Sequence, residues 1–263
     1  MANPHGMPIW YELLTRDPAA AKTFYDAVIG WSIKPHPTGG LDYRLIATSD
    51  ADGARMVGGV MTLDDDMAAH GASPRWLFYV GVDDVDATAE LISAEGGTII
   101  MPPWSIPEVG RMALVADPQG IPFYVMRGAS DESSTAFDRA GLGQCNWNEL
   151  STTDQPAAQH FYARVFGWRY PDRMPMGAMG DYVFVEAAGT TIGATMTAAA
   201  EGPPAAWLFY FRAPDIERAA ETVTDHCGTV HRGPMTVPGG DRIIVASDPE
   251  GVMFGVVGPG ELA

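Results

Sequence analysis

The chain has 263 residues, which is long for one domain and sufficient for two of ordinary size. Its formal net charge is −17, from 33 acidic and 16 basic residues. Phosphate backbones and anionic lipid headgroups bind clusters of Lys and Arg, so this charge argues against nucleic acid and membrane surfaces as partners.

The first predicted elements are a strand and a helix. The segment Ile9–Leu14 is short, apolar and rich in aromatic residues, as is typical of a buried strand. Asp17 followed by Pro18 indicates a helix N-cap and first helical residue, and Gly30 indicates the end of that helix. The next two strands are predicted over residues 43–48 and 56–63.

A second set of elements follows in a similar order. A strand is predicted over 76–82, and a helix over 84–94 that stops before Gly96. Asp117-Pro-Gln-Gly120 is a turn signal that joins the last two strands as a hairpin. The three remaining strands are predicted over residues 98–101, 111–116 and 122–126. The order indicates βαβββ modules, and the excess of strands over helices favours an α+β fold with helices on one face of a mixed sheet.

The second half of the chain repeats the first. Residues 10–31 align with 147–168 without gaps, and twelve of the 22 positions are identical. Trp76-Leu-Phe-Tyr79 matches Trp207-Leu-Phe-Tyr210, and the segment 111–120 matches 242–251. This period is too long for a solenoid, so the chain contains a duplicated domain.

We predict domain 1 over residues 1–127 and domain 2 over residues 144–263. Residues 128–143 between them have a polar centre and no apolar periodicity, which is typical of a linker. Because the two copies are fused, they can pair within one chain, so a monomer is feasible, and a homodimer is the alternative.

Two segments carry a resemblance to a known family. The first is a strand followed by Asp17, Phe24-Tyr25 and Gly30-Trp31, and the second is the segment 111–120 with Phe123, repeated at 242–254. They resemble the vicinal oxygen chelate superfamily of glyoxalase I, bleomycin-resistance proteins and extradiol dioxygenases, and more narrowly its tandem glyoxalase-like proteins. The resemblance implies two tandem glyoxalase-like domains, each made of two βαβββ modules that form a cupped mixed sheet with helices outside.

The resemblance also implies where a divalent ion would be bound. Metal-dependent members use His, Gln or Glu side chains from four strands of one cup. Here the family's His position on the first strand is Trp10, and Trp147 in the second copy. The family's Glu position on the last strand is Tyr124, and Gly255 in the second copy, which also predicts cups of unequal size.

Each copy keeps one candidate ligand, Glu12 or Glu149. Residues 55–63 and 76–82 and their counterparts in the second copy contain no His, Asp, Glu or Gln. A divalent site needs about three protein ligands, so we predict no metal site and no cofactor.

Strand alternation predicts which side chains line the cups. Trp10 and Glu12 should line the first, together with Tyr79 and Tyr124, and Trp147, Glu149 and Tyr210 should line the second. The indole rings would supply a flat apolar wall. A carboxylate among such rings can accept hydrogen bonds, bind a cation or remove a proton next to a carbonyl, which makes Glu12 and Glu149 the candidate catalytic residues.

Two pairs of these residues have an alternative interpretation. Trp10 and Trp147 would alternatively fill the space of a lost metal and its water. Arg111 and Arg242 are candidate ligand-binding residues, and they would alternatively be buried partners of Glu12 and Glu149.

Three functions follow from this pattern. The protein would bind a small molecule in an aromatic-lined cup, with the possibility of metal-independent lyase or isomerase activity on a small carbonyl compound. One alternative is non-catalytic sequestration, as in bleomycin-resistance proteins. The other is a metal-dependent lyase or dioxygenase.

The two cysteines, Cys145 and Cys227, have no cysteine counterparts in the first half. A disulfide framework is therefore not expected, and both are predicted to be small buried hydrophobic residues. The start of the chain lacks the pattern of a secretion signal, and no run reaches the ~18 apolar residues that span a bilayer. We expect a cytoplasmic protein.

Overall fold

The computed structural model describes residues 3–38, 41–49, 53–199 and 202–259, with nothing described of the side chains at 37, 38 and 41. The predicted domain limits at residues 1 and 263 lie outside the described residues. The first copy contains β1 (Pro8–Thr15), α1 (Pro18–Ile29), β2 (Ser32–Thr38), β3 (Leu41–Ala47), β4 (Met56–Thr62), α2 (Asp65–Ala69), β5 (Arg75–Gly81), α3 (Val85–Ala94), β6 (Thr98–Ile106), β7 (Gly110–Ala116) and β8 (Pro122–Gly128). The second copy contains β9 (Cys145–Thr152), α4 (Gln155–Phe166), β10 (Arg173–Pro175), β11 (Asp181–Ala187), β12 (Thr190–Thr197), β13 (Ala206–Arg212), α5 (Ile216–Asp225), β14 (Thr229–Thr236), β15 (Asp241–Ser247) and β16 (Met253–Pro259).

These elements form four βαβββ modules, two in each copy, as predicted. The short helix α2 is an addition between the first two modules. The strand order is β2-β3-β4-β1-β5-β8-β7-β6 in one sheet and β10-β11-β12-β9-β13-β16-β15-β14 in the other. β1 pairs with β4 and β5 with β8 in parallel, whereas the hairpin neighbours pair antiparallel, so both sheets are mixed. The predicted α+β fold class is confirmed.

Local chemistry sets the ends of the helices. The Asp17 carboxylate accepts hydrogen bonds from the N–H groups of Ala19 and Ala20 at 3.0 and 2.9 Å, which satisfies amides that have no partner within α1. Gly30 follows α1 with φ +84°, a left-handed conformation that glycine adopts without steric cost. No helix in the described part of the chain has the length and apolar character of a membrane span.

Strand β2 was not among the predicted elements. Its sequence contains Pro35 and Pro37, which lack the N–H group that a ladder needs and which argue against a central strand. In the structure β2 lies at the edge of its sheet and pairs only with β3, which is a position where a strand tolerates proline.

The described chain forms two compact units, and each unit takes one module from each copy. One unit contains residues 1–9, 77–134 and 147–207, and the other contains 10–76, 135–146 and 208–263. We call them the inner unit and the outer unit, because the inner unit takes the two modules nearest the middle of the chain. The predicted boundaries at 127 and 144 divide the sequence repeats and stay a prediction.

In the outer unit, a buried Trp–Tyr–Asp cluster joins α1 to the turn before β16. Tyr25 donates its hydroxyl to Asp248 Oδ2 at 3.1 Å and accepts the Trp76 indole N–H at 3.0 Å. The other oxygen of Asp248 accepts the N–H groups of Glu250 and Val252, both at 2.9 Å. Asp248 therefore holds its own turn and also binds a tyrosine from the other copy.

The inner unit contains the matching cluster. Tyr162 of α4 donates to Asp117 Oδ2 and accepts the Trp207 indole N–H, each at 3.1 Å. Burial raises the pKa of both Asp117 and Asp248, because removal from water disfavours the charged carboxylate. Tyr25 and Tyr162 are both fully buried.

Candidate functional site

The first candidate site is in the outer unit, on one face of β1. Tyr11 packs against Phe209 and Phe211 with ring centroids 5.3 and 5.8 Å apart. Because strand side chains alternate, Trp10 and Glu12 lie on the opposite face of β1. This is the orientation that the sequence predicted for them relative to each other.

A tyrosine from β3 connects these two side chains. The Trp10 indole N–H donates to Tyr43 Oη at 3.0 Å, and that hydroxyl donates to Glu12 Oε2 at 3.2 Å. Glu12 is only 2% exposed, whereas Trp10 and Tyr43 are half-buried. We call Trp10, Tyr43 and Glu12 the first triad.

Gly59 makes room for the first triad. It is the register partner of Glu12 in the parallel ladder between β1 and β4. A Cβ atom at Gly59 would lie 2.0 Å from Tyr43 Oη, so only glycine leaves the phenol in this position.

The inner unit contains a second triad of Trp147, Tyr182 and Glu149. The Trp147 indole N–H donates to Tyr182 Oη, and Tyr182 donates to Glu149 Oε2, both at 2.7 Å. All three side chains are half-buried. Ala194 is here the register partner of the glutamate, in place of glycine.

Sequence reasoning missed both tyrosines of the triads. A signal was available, because Asp42-Tyr43 and Asp181-Tyr182 are the same dipeptide at corresponding places on β3 and β11. The two tyrosines are 139 residues apart, whereas residues 10–31 and 147–168 align at a separation of 137 residues. The ungapped alignment therefore does not extend to these dipeptides.

Further rings lie together in the inner unit. Tyr79 and Tyr124, which the sequence predicted to face one cavity, stack with centroids 4.2 Å apart and an interplanar angle of 12°. Trp104 packs edge-on to Tyr124 at 6.2 Å. Phe123 packs against α4, so Tyr124 lies on the face of β8 away from that helix.

The corresponding place in the outer unit is different. Tyr210 is buried, and a Cβ atom at Gly255 would lie 2.2 Å from its ring. The Tyr210 ring therefore lies directly on the β16 backbone, where the inner unit has a stack of two rings. The predicted difference in cup size stays a prediction.

The two arginines bind partners other than the glutamates. Arg111 pairs with Asp86 of α3 through two hydrogen bonds of 2.5 and 2.6 Å, and these contacts hold the pKa of Asp86 below its usual range. Arg242 pairs with Glu217 of α5 and also donates to a backbone carbonyl. The interpretation of Arg111 and Arg242 as buried partners of Glu12 and Glu149 is therefore wrong. A role in ligand binding stays a prediction.

The prediction for the cysteines is half correct. Cys145 is buried and unbridged, whereas Cys227 is exposed. Cys227 follows α5 with φ +64°, in the turn that precedes β14, where its side chain is not covered by the sheet.

The residues that the structure describes do not fit a divalent metal ion. In the described ranges, no three His, Cys, Asp or Glu side chains come close enough together to hold one. Each triad supplies one carboxylate, and its other members are an indole, which only donates, and a phenol that is already hydrogen-bonded at both ends.

Comparisons with known proteins agree with this architecture. The family model of the Glyoxalase/Bleomycin resistance protein/Dioxygenase superfamily matches residues 8–125 and 141–256. "Putative glyoxylase CFP32" of Mycobacterium tuberculosis (strain CDC 1551 / Oshkosh) is 31% identical over 97% of this chain and 95% of its own length. "Anthracycline biosynthesis protein DauV" of Streptomyces sp. (strain C5) is 28% identical over 96% of this chain and 93% of its own length.

A solved structure shows the same fold at low sequence identity. The 2,3-dioxygenase LapB from Pseudomonas sp. KL28 superposes with a TM-score of 0.65 and 15% identity, over 98% of this chain and 94% of LapB. The matched segments, the curated relatives and the four βαβββ modules give one conclusion: the chain belongs to the glyoxalase/bleomycin resistance/dioxygenase superfamily.

Proposed function

We propose that this protein binds a small organic molecule at each Trp–Tyr–Glu triad without a metal ion. The observation that carries the proposal is the triad itself, which occurs in both copies at the strand where the family's metal ligand is expected. An indole and a phenol supply flat apolar surface beside a single hydrogen-bond acceptor. Small-molecule sites have this composition, with apolar walls and few polar groups in fixed positions.

The stacked rings of the inner unit support the same proposal. Tyr79 and Tyr124 are buried and stacked on one another, with the half-buried Trp104 at the edge of the pair. Such an aromatic wall favours a ligand with a planar aromatic part that packs at the Trp104 edge, because aromatic rings gain about 0.5–1.5 kcal/mol from offset or edge contacts beyond the area that they bury. The name of the 28% identical relative, an anthracycline biosynthesis protein, is consistent with a ligand of this kind.

Metal independence has a direct test. We expect elemental analysis of the purified protein to give less than about one tenth of an equivalent of Mn, Fe, Ni or Zn, because a single carboxylate per triad is too few ligands. We also expect that adding each of these ions in excess leaves the melting temperature unchanged, since a bound ion would stabilise the folded state. Stoichiometric metal that survives dialysis would contradict the proposal.

Ligand binding is tested by a thermal-shift screen of aromatic alcohols, amines and ketones, followed by titration of tryptophan fluorescence. Trp10 and Trp147 lie in the triads, so a ligand stacked on them should quench their emission. The matched controls are Trp10→Phe and Trp147→Phe, which keep a ring but remove one reporter each. A screen in which no compound raises the melting temperature would count against binding.

The second candidate is a metal-independent lyase or isomerase acting on a small carbonyl compound. It is favoured by the burial of the Glu12 carboxylate beside apolar rings, where a base is shielded from water, and by the glyoxylase name of the 31% identical relative. In this candidate Glu12 or Glu149 takes the proton next to the carbonyl. Turnover that is unchanged in the Glu12→Gln, Glu149→Gln double variant would remove it.

A further inference from the structure

The hydrogen bonds of the triads have a fixed direction. An indole N–H can only donate, so the tyrosine oxygen in each triad must accept at that end. The phenol has one proton, which it gives to the glutamate. In each triad the glutamate Oε2 therefore accepts the tyrosine proton, and this contact orients that side of the carboxylate.

We propose that Tyr43 and Tyr182 are positioning residues that make each glutamate an oriented hydrogen-bond acceptor, so that each site selects an aromatic ligand carrying a hydroxyl or amine donor. The inference rests on the proposed function, because it names the ligand class of the same sites. An ether or ester of the same ring has no proton to give, and an anionic substituent is repelled by the carboxylate and by a surface of net charge −17.

The two triads provide a matched comparison within one chain. Gly59 allows the phenol of Tyr43 to reach Glu12, whereas Ala194 occupies the corresponding place in the second triad. A methyl group at residue 59 would displace the hydroxyl end of the Tyr43 side chain and would leave the second triad unchanged. Gly59→Ala therefore disturbs the same contact as Tyr43→Phe by a different route.

The experiment uses two probes, 2-naphthol and 2-methoxynaphthalene, which share a ring system and differ in the donor. Each is titrated into the full chain labelled with ¹⁵N, and the indole N–H resonances of Trp10 and Trp147 report the two sites separately. Trp10→Phe and Trp147→Phe assign the resonances. In the wild type we expect 2-naphthol to bind roughly tenfold more tightly than its methyl ether, the ratio typical of one hydrogen bond to a charged group.

In Tyr43→Phe and in Gly59→Ala, we expect this ratio to fall towards one at the Trp10 site and to stay unchanged at the Trp147 site. Tyr182→Phe should give the reverse. A tyrosine that only fills space would weaken both probes equally and leave the ratio intact, and that result would overturn the inference. If Tyr43→Phe does not fold, the half-buried Tyr182 gives the same test in the second triad.

The outcomes separate the inference from the function on which it rests. Binding of both probes with equal affinity to the wild type overturns the donor selectivity and leaves the binding function standing. Failure of both probes to shift either indole resonance at millimolar concentration overturns the proposed binding of aromatic ligands together with the inference.

Discussion

Replacing Asp248 with Ala should lower the free energy of unfolding by about 4 kcal/mol. The carboxylate is 5% exposed, and it accepts the N–H groups of Glu250 and Val252 and the hydroxyl of Tyr25. Alanine leaves all three donors without their acceptor, and each buried donor that loses its partner costs about 1–3 kcal/mol. Urea unfolding of the two proteins at pH 7 measures the difference.

Asp248→Asn is the matched control. The amide oxygen can still accept the two backbone N–H groups, so we expect a loss of about 1 kcal/mol or less. A loss below 1 kcal/mol for the alanine variant would show that water replaces the carboxylate in the turn. Asp117→Ala should behave in the same way, because it binds Tyr162 and its own turn with the same geometry.

The free energy of unfolding of the wild type and that of Asp248→Asn should depend differently on pH. Burial raises the pKa of Asp248, so the folded protein holds the proton more tightly than the unfolded chain, whose value is about 3.8. The resulting stability is complete below the unfolded pKa and is lost as pH rises through the folded pKa. Wild type should therefore gain stability relative to Asp248→Asn as the pH falls from 7 towards 4, which urea titrations across that range would detect.

The second large effect is expected at Gly58. A Cβ atom here would lie 1.8 Å from the carbonyl oxygen of Tyr11, its register partner on β1. This neighbour is backbone in a parallel ladder and cannot rotate away, so Gly58→Ala must separate β1 from β4. We expect a loss of about 3 kcal/mol or more, at the upper end of the range for overpacked interiors, measured as a fall in the urea midpoint.

Gly59→Ala is the comparison for Gly58→Ala, because the same atom added one residue later meets a phenol hydroxyl. We expect that loss to be about 1–2 kcal/mol, since Tyr43 can turn aside. Equal losses for the two variants would contradict the distinction between backbone and side-chain contacts. Gly193 repeats the Gly58 contact, with its Cβ position 1.8 Å from the carbonyl oxygen of Asn148.

Much of the fold could be predicted because its signals are local. The cap at Asp17 and the stop at Gly30 fix α1, and the Asp-Pro-x-Gly turns fix two hairpins. The strand β2 could not be recognised, because Pro35 and Pro37 are tolerated only by its position at an edge, which is a property of the sheet. The exposure of Cys227 likewise depends on how the chain turns after α5.

The candidate site could be predicted less completely. The indoles and carboxylates were recognised, since alternation along one strand places both on the same face. Tyr43 and Tyr182 reach them from another strand, and that contact depends on the register between β3 and β4 and between β11 and β12. The sequence could not predict the partners of the two arginines. Arg111 and Arg242 bind acidic residues on α3 and α5, and the pattern along β7 or β15 contains no information about those helices.

The way that each compact unit combines modules has a consequence for how such a protein could have arisen. Tyr25 of the first copy is buried against a turn of the second, and Tyr162 of the second copy is buried against a turn of the first. A shorter ancestral gene encoding a single copy would have produced a subunit with both of these contacts unmade. Two such subunits would have to associate to make these contacts, and fusing the two copies makes that encounter independent of protein concentration.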